Sequence, residues 1–209
     1  MAEAGGIEAL HGAALRLQAR AKAKIAGSRP LPALMLMTDP ERTPDPEAVA
    51  GRLPRGSAIV FRAFGARDAV ARGRRLAAIA RRRGLVLLAG ADPALALAIG
   101  AQGVHLPERL GHRAGAVRRA RPGWLVTAAA HGEAAARRAL ACGADAVLIS
   151  PVFESRSPSA GRPLGTVKFA ALVRRTGGLV YALGGIDRTT ARRLSGSGAV
   201  GIAAVEALA

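Results

Sequence analysis

The sequence predicts an α/β chain folded as a (β/α)8 barrel, and three observations carry that prediction. Eight short apolar runs recur along the 209 residues, each separated from the next by a segment of helical character. The runs do not alternate apolar with polar residues, as expected of parallel strands covered on both faces. The last two are interrupted by glycine, at Gly184-Gly185 and at Gly201. Glycine-ended strands running into helix starts turn bare backbone N–H groups toward one point. Such a point suits an anion, and the loops after the seventh and eighth strands of a barrel form its usual phosphate site. An open doubly wound sheet has the same strand count and stays the alternative.

The elements follow in order. Residues 1–30 read as an N-terminal amphipathic helical extension, and residues 31–209 as the barrel. Ile7, Leu10, Ala14, Leu17, Ala21 and Ile25 recur at helical spacing, with Arg16, Arg20, Lys22 and Lys24 on the remaining surface. This helix is expected to close the bottom of the barrel or to pack on a partner. The strands are placed at 33–37, 58–61, 85–88, 103–106, 124–127, 145–149, from 180 and from 199. Helices are placed from a start at Thr43-Pro-Asp-Pro46 through Arg52, at 66–83, from Asp92-Pro93, at 113–120, 133–142 and 167–175, and after Asp187. Asp92 and Asp187 serve as helix caps, and Pro93 fits a first helical turn.

Composition narrows the function classes. The chain is 50% hydrophobic, enough for a sizeable core, and Cys142 is its single cysteine, so no internal disulfide forms. The net charge of +17 comes almost wholly from arginine, since Lys22, Lys24 and Lys168 are the only lysines. Aromatics make up 3% of the chain, leaving few stacking platforms for bases. The arginines fall mostly in helical segments and read as solvated faces, so neither nucleic acid nor membrane is expected as a partner. A positive field still favours a phosphorylated small-molecule ligand. No apolar run reaches spanning length, the start lacks a secretory pattern, and the expected location is the cytoplasm. Homo-oligomerisation stays open.

The chemistry is expected at the C-terminal strand ends. Thr38, Asp39, Arg62, Asp92, His105, His131 and Ser150 fall there, together with the 151–165 loop bearing Glu154, Arg156 and Arg162. His131, at a strand end just before a helix, is the candidate proton shuttle, with a structural role as the competing reading. His105 lies within its strand run and reads as a satisfied core histidine. Arg62 is held at a strand end, and Arg156 and Arg162 sit on a long loop where guanidinium can meet an anion. No metal-ligand cluster stands out.

Gly103-Val-His-Leu106, Gly143-Ala-Asp-Ala-Val147, Ser150-Pro-Val-Phe153, Ala182-Leu-Gly-Gly-Ile186 and Ala199-Val-Gly-Ile-Ala203 together resemble the thiamine phosphate synthase/TenI superfamily. The resemblance runs from about Leu34 to the end and implies a (β/α)8 barrel. It implies a thiamine-pathway protein: either a synthase joining a pyrimidine pyrophosphate to a thiazole phosphate with Mg²⁺, or a tautomerase that aromatises a thiazole carboxylate phosphate without metal. By the same resemblance, Gly184, Gly185 and the Ala203-Ala204 backbone hold the thiazole phosphate. Arg62 matches the arginine of the synthase's Gln-x-Arg-x-Lys strand, and His131 matches the histidine of Ser-x-His, the tautomerase's acid–base residue.

The departures are specific. The lysine of Arg-x-Lys is Phe64, the Asn-Asp metal pair aligns with Gly90-Ala91, a second metal aspartate aligns with Leu110, and the loop lysine aligns near Pro158. Metal and cations normally stabilise a departing pyrophosphate. The expectation is therefore a metal-independent enzyme on a thiazole phosphate with no cofactor. Mg²⁺ is expected only if synthase activity is retained through a rebuilt site. A non-catalytic phosphate-ligand binder is the alternative from a different class.

Overall fold

The computed structural model describes residues 2–157 and 161–209. Eight parallel strands close into a barrel in sequence order. They are β1 (Leu34–Met37), β2 (Ala58–Phe61), β3 (Val86–Gly90), β4 (Gly103–Leu106), β5 (Leu125–Ala130), β6 (Ala146–Ile149), β7 (Val180–Ala182) and β8 (Gly201–Ala204). The ring closes where Leu34, Met35 and Leu36 pair with Ile202, Ala203 and Ala204. The open-sheet alternative is thereby excluded.

Alternation along each strand explains the unbroken apolar runs. Successive side chains point to opposite faces, and here both faces are covered. Met35, Met37, Val60, Leu88, Leu148, Tyr181 and Ala203 belong to one buried cluster inside the barrel. Leu34, Leu36, Ile59, Phe61, Leu87 and Val104 belong to the other, under the helices. The Tyr181 hydroxyl donates to the Pro32 carbonyl at 2.7 Å, which satisfies the one hydroxyl in that cluster. Its ring fits because Gly201 faces it: a Cβ there would lie 2.5 Å from Tyr181 Cε1.

The outer helices are α3 (Pro46–Arg52), α4 (Ala69–Arg83), α5 (Pro93–Ile99), α6 (Ala114–Ala120), α7 (Glu133–Ala141) and α8 (Gly165–Thr176). Asp45 and Asp92 cap α3 and α5, Asp45 accepting from the Ala48 N–H and Asp92 from those of Ala94 and Leu95. Cys142 is the half-buried residue that closes α7.

Two element readings are corrected. The fifth strand runs on through Ala128–Ala130 rather than stopping at Thr127; pairing with β6 outweighs the weak strand preference of alanine. Between β7 and β8 there is only a 3-10 turn, Thr190–Leu194. Before α6, another 3-10 turn occupies Glu108–Arg113.

The N-terminal segment folds as α1 (Ala2–Arg20) and α2 (Lys22–Ile25). Ile7, Leu10, Ala13, Ala14 and Leu17 of α1 are buried in the outer cluster, where α1 contacts β8 and β1. Among the described residues, β8 is followed by a 3-10 turn, Glu206–Leu208. Thus α1 covers the flank that a helix after β8 would cover. Below it, Ala21, Ile25 and Leu31 join the inner cluster beside Val86, Leu125 and Leu179, closing the bottom of the barrel.

Candidate active site

At the C-terminal strand ends lies a cavity of about 1280 Å³. Every strand end reaches it: Met37, Arg62, Gly90, His105, Ala129, Ser150, Leu183 and Ala204 all line it. Its floor is the barrel interior, so side chains at these positions are held by sheet geometry.

One side is a cup of backbone. Gly184 and Gly185 have φ of +93° and +64°, conformations that strain any residue with a Cβ. The β6 loop also lies directly on them. A Cβ on Gly184 would sit 2.8 Å from Pro151 Cα, and one on Gly185 would sit 2.1 Å from the Glu154 carbonyl oxygen. Phe153 N–H donates to the Gly184 carbonyl at 3.0 Å, and the Thr190 hydroxyl donates to the Gly185 carbonyl at 2.9 Å. Asp187 accepts from the N–H groups of Thr189 and Thr190, both at 2.8 Å, fixing the turn that follows. The carbonyls are thereby tied back, while the N–H groups of Gly184, Gly185 and Ile186 donate to no described protein group. Ala204 and the Val205–Ala207 backbone border the same space. Ala203 does not: its side chain is in the inner cluster and its backbone is in the ladder opposite Met35. Arg156 reaches the rim from the β6 loop and pairs with Glu206. Arg162 is exposed and away from the cavity lining, and Pro158 lies outside the described residues.

Arg62 anchors the opposite side. Its backbone N–H donates to the Thr38 hydroxyl at 2.9 Å and its Nε to the Thr38 carbonyl at 2.6 Å. Asp39 lies 3.3 Å from its guanidinium and 2.7 Å from that of Arg42. The hydrogen bond from Arg42 is the main reason the Asp39 carboxyl is held down to about 2, against a smaller opposing effect of burial. Burial lowers the Arg62 pKa, which Asp39 opposes. The Arg62 chain lies across the end of β3, where a Cβ on Gly90 would be 3.0 Å from Arg62 Cγ. His105 is buried, with Nδ1 3.0 Å from the Thr127 hydroxyl. Burial first, and the Arg62 charge second, push its pKa down to about 3, so it is neutral.

His131 directly follows β5 and lines the cavity. Its Nδ1 is 2.8 Å from Glu108 Oε2, and its backbone N–H donates to the same oxygen at 2.7 Å. Burial raises the Glu108 pKa, but the two hydrogen bonds from His131 outweigh it and leave the carboxyl below its ordinary value. An ionised carboxylate only accepts, so His131 Nδ1 carries a proton, and in the neutral ring the lone pair would be on Nε2. Glu108 is a site residue that the motifs do not reveal. It is 23 positions from His131, and only the adjacency of the β4 and β5 ends brings them together. The signal available was a carboxylate two residues past a strand end.

The residues around β3 and β4 do not fit a divalent cation. Gly90, Ala91 and Leu110 offer no ligand side chains. The nearby carboxylates are committed: Asp92 to Ala94 N–H and Leu95 N–H, Asp39 to two arginines, Glu108 to His131. Among the described residues no group of three or more His, Cys, Asp or Glu side chains could hold a metal, and no helix is long and apolar enough to cross a membrane.

Comparison with known proteins agrees with the fold. Residues 34–208 match the TMP-TENI family model, described as Thiamine monophosphate synthase. The thiamine-phosphate synthase of Roseiflexus sp. (strain RS-1) is 33% identical over 145 residues, covering 68% of this chain and 61% of that one. That of Methylococcus capsulatus is 34% identical over 148 residues, covering 68% and 64%. The chain spans 59% and 54% of its Aquifex aeolicus and Geobacter sulfurreducens relatives, little more than half their length. Thiamine phosphate pyrophosphorylase from Pyrococcus furiosus shares the fold, with a TM-score of 0.67 at 24% identity over 82% of this chain and 84% of that one. An aldolase, QR15, gives 0.59 at 14% identity over 83% and 90%; the barrel alone therefore carries no reaction. With the family model spanning all eight strands, the chain belongs to the thiamine monophosphate synthase (TMP-TENI) family.

Proposed function

We propose that this chain isomerises a thiazole phosphate by metal-independent proton transfer, with His131 as the acid–base residue. The observation that carries the proposal is the 2.8 Å contact between His131 Nδ1 and Glu108 at the cavity edge. Glu108 fixes the tautomer and leaves Nε2 as the base. Nε2 accepts a proton from a ring carbon, and the imidazolium so formed, stabilised by Glu108, returns a proton to a second atom of the same conjugated system. Only X–H bonds change, no group leaves, and no oxidant or metal is needed. The Gly184–Ile186 N–H groups hold the phosphate, and Arg62 faces a second anionic group such as a ring carboxylate.

General acid–base catalysis contributes typically about 10²–10⁴-fold. His131→Gln is expected to lower kcat by that order while leaving thiazole phosphate affinity within about twofold. Glu108→Gln keeps the shape but not the charge, and is expected to lower kcat less. Proton exchange from the thiazole ring, followed by NMR, reads both. Equal exchange in wild type and His131→Gln overturns the assignment.

The names of the relatives favour a second reading, a synthase joining a pyrimidine pyrophosphate to a thiazole phosphate. Thiamine phosphate formation that requires Mg²⁺ and stops with chelator would establish it. Asp39 and Asp92 would then have to leave their present partners. Phosphate-ligand binding with neither activity would leave a binding protein.

A further inference from the structure

The cavity has a second, chemically different half. Beyond Arg62 it extends as a groove between α4 and α5, lined by Phe64, Val70, Ala94 and Ala98. Five large apolar side chains are exposed among the described residues, and two of them, Phe64 at 63% and Val70 at 39%, line this one cavity. Phe64 is held with φ of +47°, and Ala91 across the groove with φ of +65°. They are the only non-glycine residues so held among those described. The Phe64 ring packs against the Arg62 guanidinium, 5.2 Å from ring centre to Cζ. Of the charged groups here, Arg62 is held by Thr38 and Asp39 and Asp92 caps α5, while Arg67 also lines the cavity. An exposed aromatic ring in a strained backbone costs stability without gaining burial, and such strain collects at functional sites.

We infer that this groove is a subsite for an uncharged, flat or aliphatic group on the ligand, stacked on Phe64, so that the substrate class is a phosphomonoester with an apolar substituent rather than a diphosphate. The inference rests on the phosphate reading of the Gly184–Ile186 cup, to which the groove is continuous through one cavity. An apolar wall cannot compensate a diphosphate, because burying unpaired charge against it is costly. A ring laid on Phe64 instead removes apolar surface from water and gains stacking.

The test uses two probes on the intact chain, 2-naphthol by fluorescence and inorganic phosphate by calorimetry. Expected are saturable binding of each, and naphthol affinity unchanged by saturating phosphate. Phe64→Gly removes the ring and relieves the positive φ. It should weaken naphthol at least fivefold, leave phosphate affinity unchanged, and keep or raise the Tm. Unchanged naphthol affinity in Phe64→Gly, or a lost affinity that comes with a lower Tm, overturns the subsite. So does displacement of naphthol by pyrophosphate with Mg²⁺, which would make the groove a leaving-group site. Failure of wild type to bind phosphate, with naphthol binding intact, overturns the phosphate reading instead.

Discussion

Gly185 concentrates the constraints of the site in one residue. Its φ is +64° and a Cβ would meet the Glu154 carbonyl oxygen at 2.1 Å. Gly185→Ala must therefore lift the β6 loop as well as strain its own backbone. It is expected to cost about 1–3 kcal/mol and to abolish phosphate binding, read by urea unfolding and calorimetry. Gly27, with φ of +79° and nothing within 4 Å, is the control, where Ala costs only the backbone strain, about 1 kcal/mol. His105 makes a second residue-scale prediction. Its pKa is about 3 when folded and near 6.5 when unfolded. The unfolded chain therefore binds a proton that the folded chain refuses between those values. Stability is full above about pH 6.5 and falls by up to about 1.4 kcal/mol per pH unit as pH drops toward 3. Asp39, held at about 2, has the same sign but acts only below about pH 4. His105→Asn should flatten the upper window alone; an unchanged slope between pH 6.5 and 4 would show that His105 is protonated in the fold. The sequence placed His105 as a core residue and His131 at a strand end, and both positions are observed. Glu108 was not legible, because its partner is set by barrel closure and not by spacing.

At the scale of elements, legibility followed burial. Ala58–Phe61 and Gly103–Leu106 are apolar, bounded by turns and buried on both faces, and the structure has strands over the same residues. In isolation Ala128–Ala130 resembles loop or helix, so the pattern ends the fifth strand early. Asp187 and Thr190 give a helix-start pattern after β7. In the fold these side chains instead hydrogen-bond to one another and to Gly185, shaping a turn around the cup. The amphipathic pattern of α1 is evident in the sequence, but its target is not, since periodicity says which face is apolar and not what covers it. Here the face lies on β8 and β1. Leu10 is fully buried in that contact, whereas Leu15 on the same helix is 46% exposed. Leu10→Ala is expected to destabilise by about 2–5 kcal/mol, and Leu15→Ala by less than about 0.5 kcal/mol, measured by thermal unfolding. Similar values for the two would mean that α1 does not belong to the cooperative core.

The whole molecule separates its charge from its chemistry. The chain carries +17, yet the cavity is lined by five arginines and five carboxylates. Many of the remaining arginines end helices: Arg52 in α3, Arg81–Arg83 in α4, Arg118 and Arg119 in α6, Arg138 in α7, Arg174 and Arg175 in α8. Outer helices run antiparallel to the strands, so their C-termini lie at the bottom, away from the cavity. Cations there complement the negative ends of the helix dipoles. A consequence can be measured. Fields from the bottom rim are separated from the cup by more than a Debye length at physiological salt, about 8 Å, and the local lining sums to neutrality. Under the proposed phosphate reading of the cup, affinity is expected to be set by the glycine N–H groups and the nearby guanidiniums. It should change by less than about threefold between 50 and 200 mM NaCl, by calorimetry at constant pH. A duplex nucleic acid neutralised by six or more of the rim arginines would lose about 10³-fold over the same range. A phosphate dependence that steep would show that the outer arginines act on the mouth, and the division between a basic exterior and a neutral site would fall.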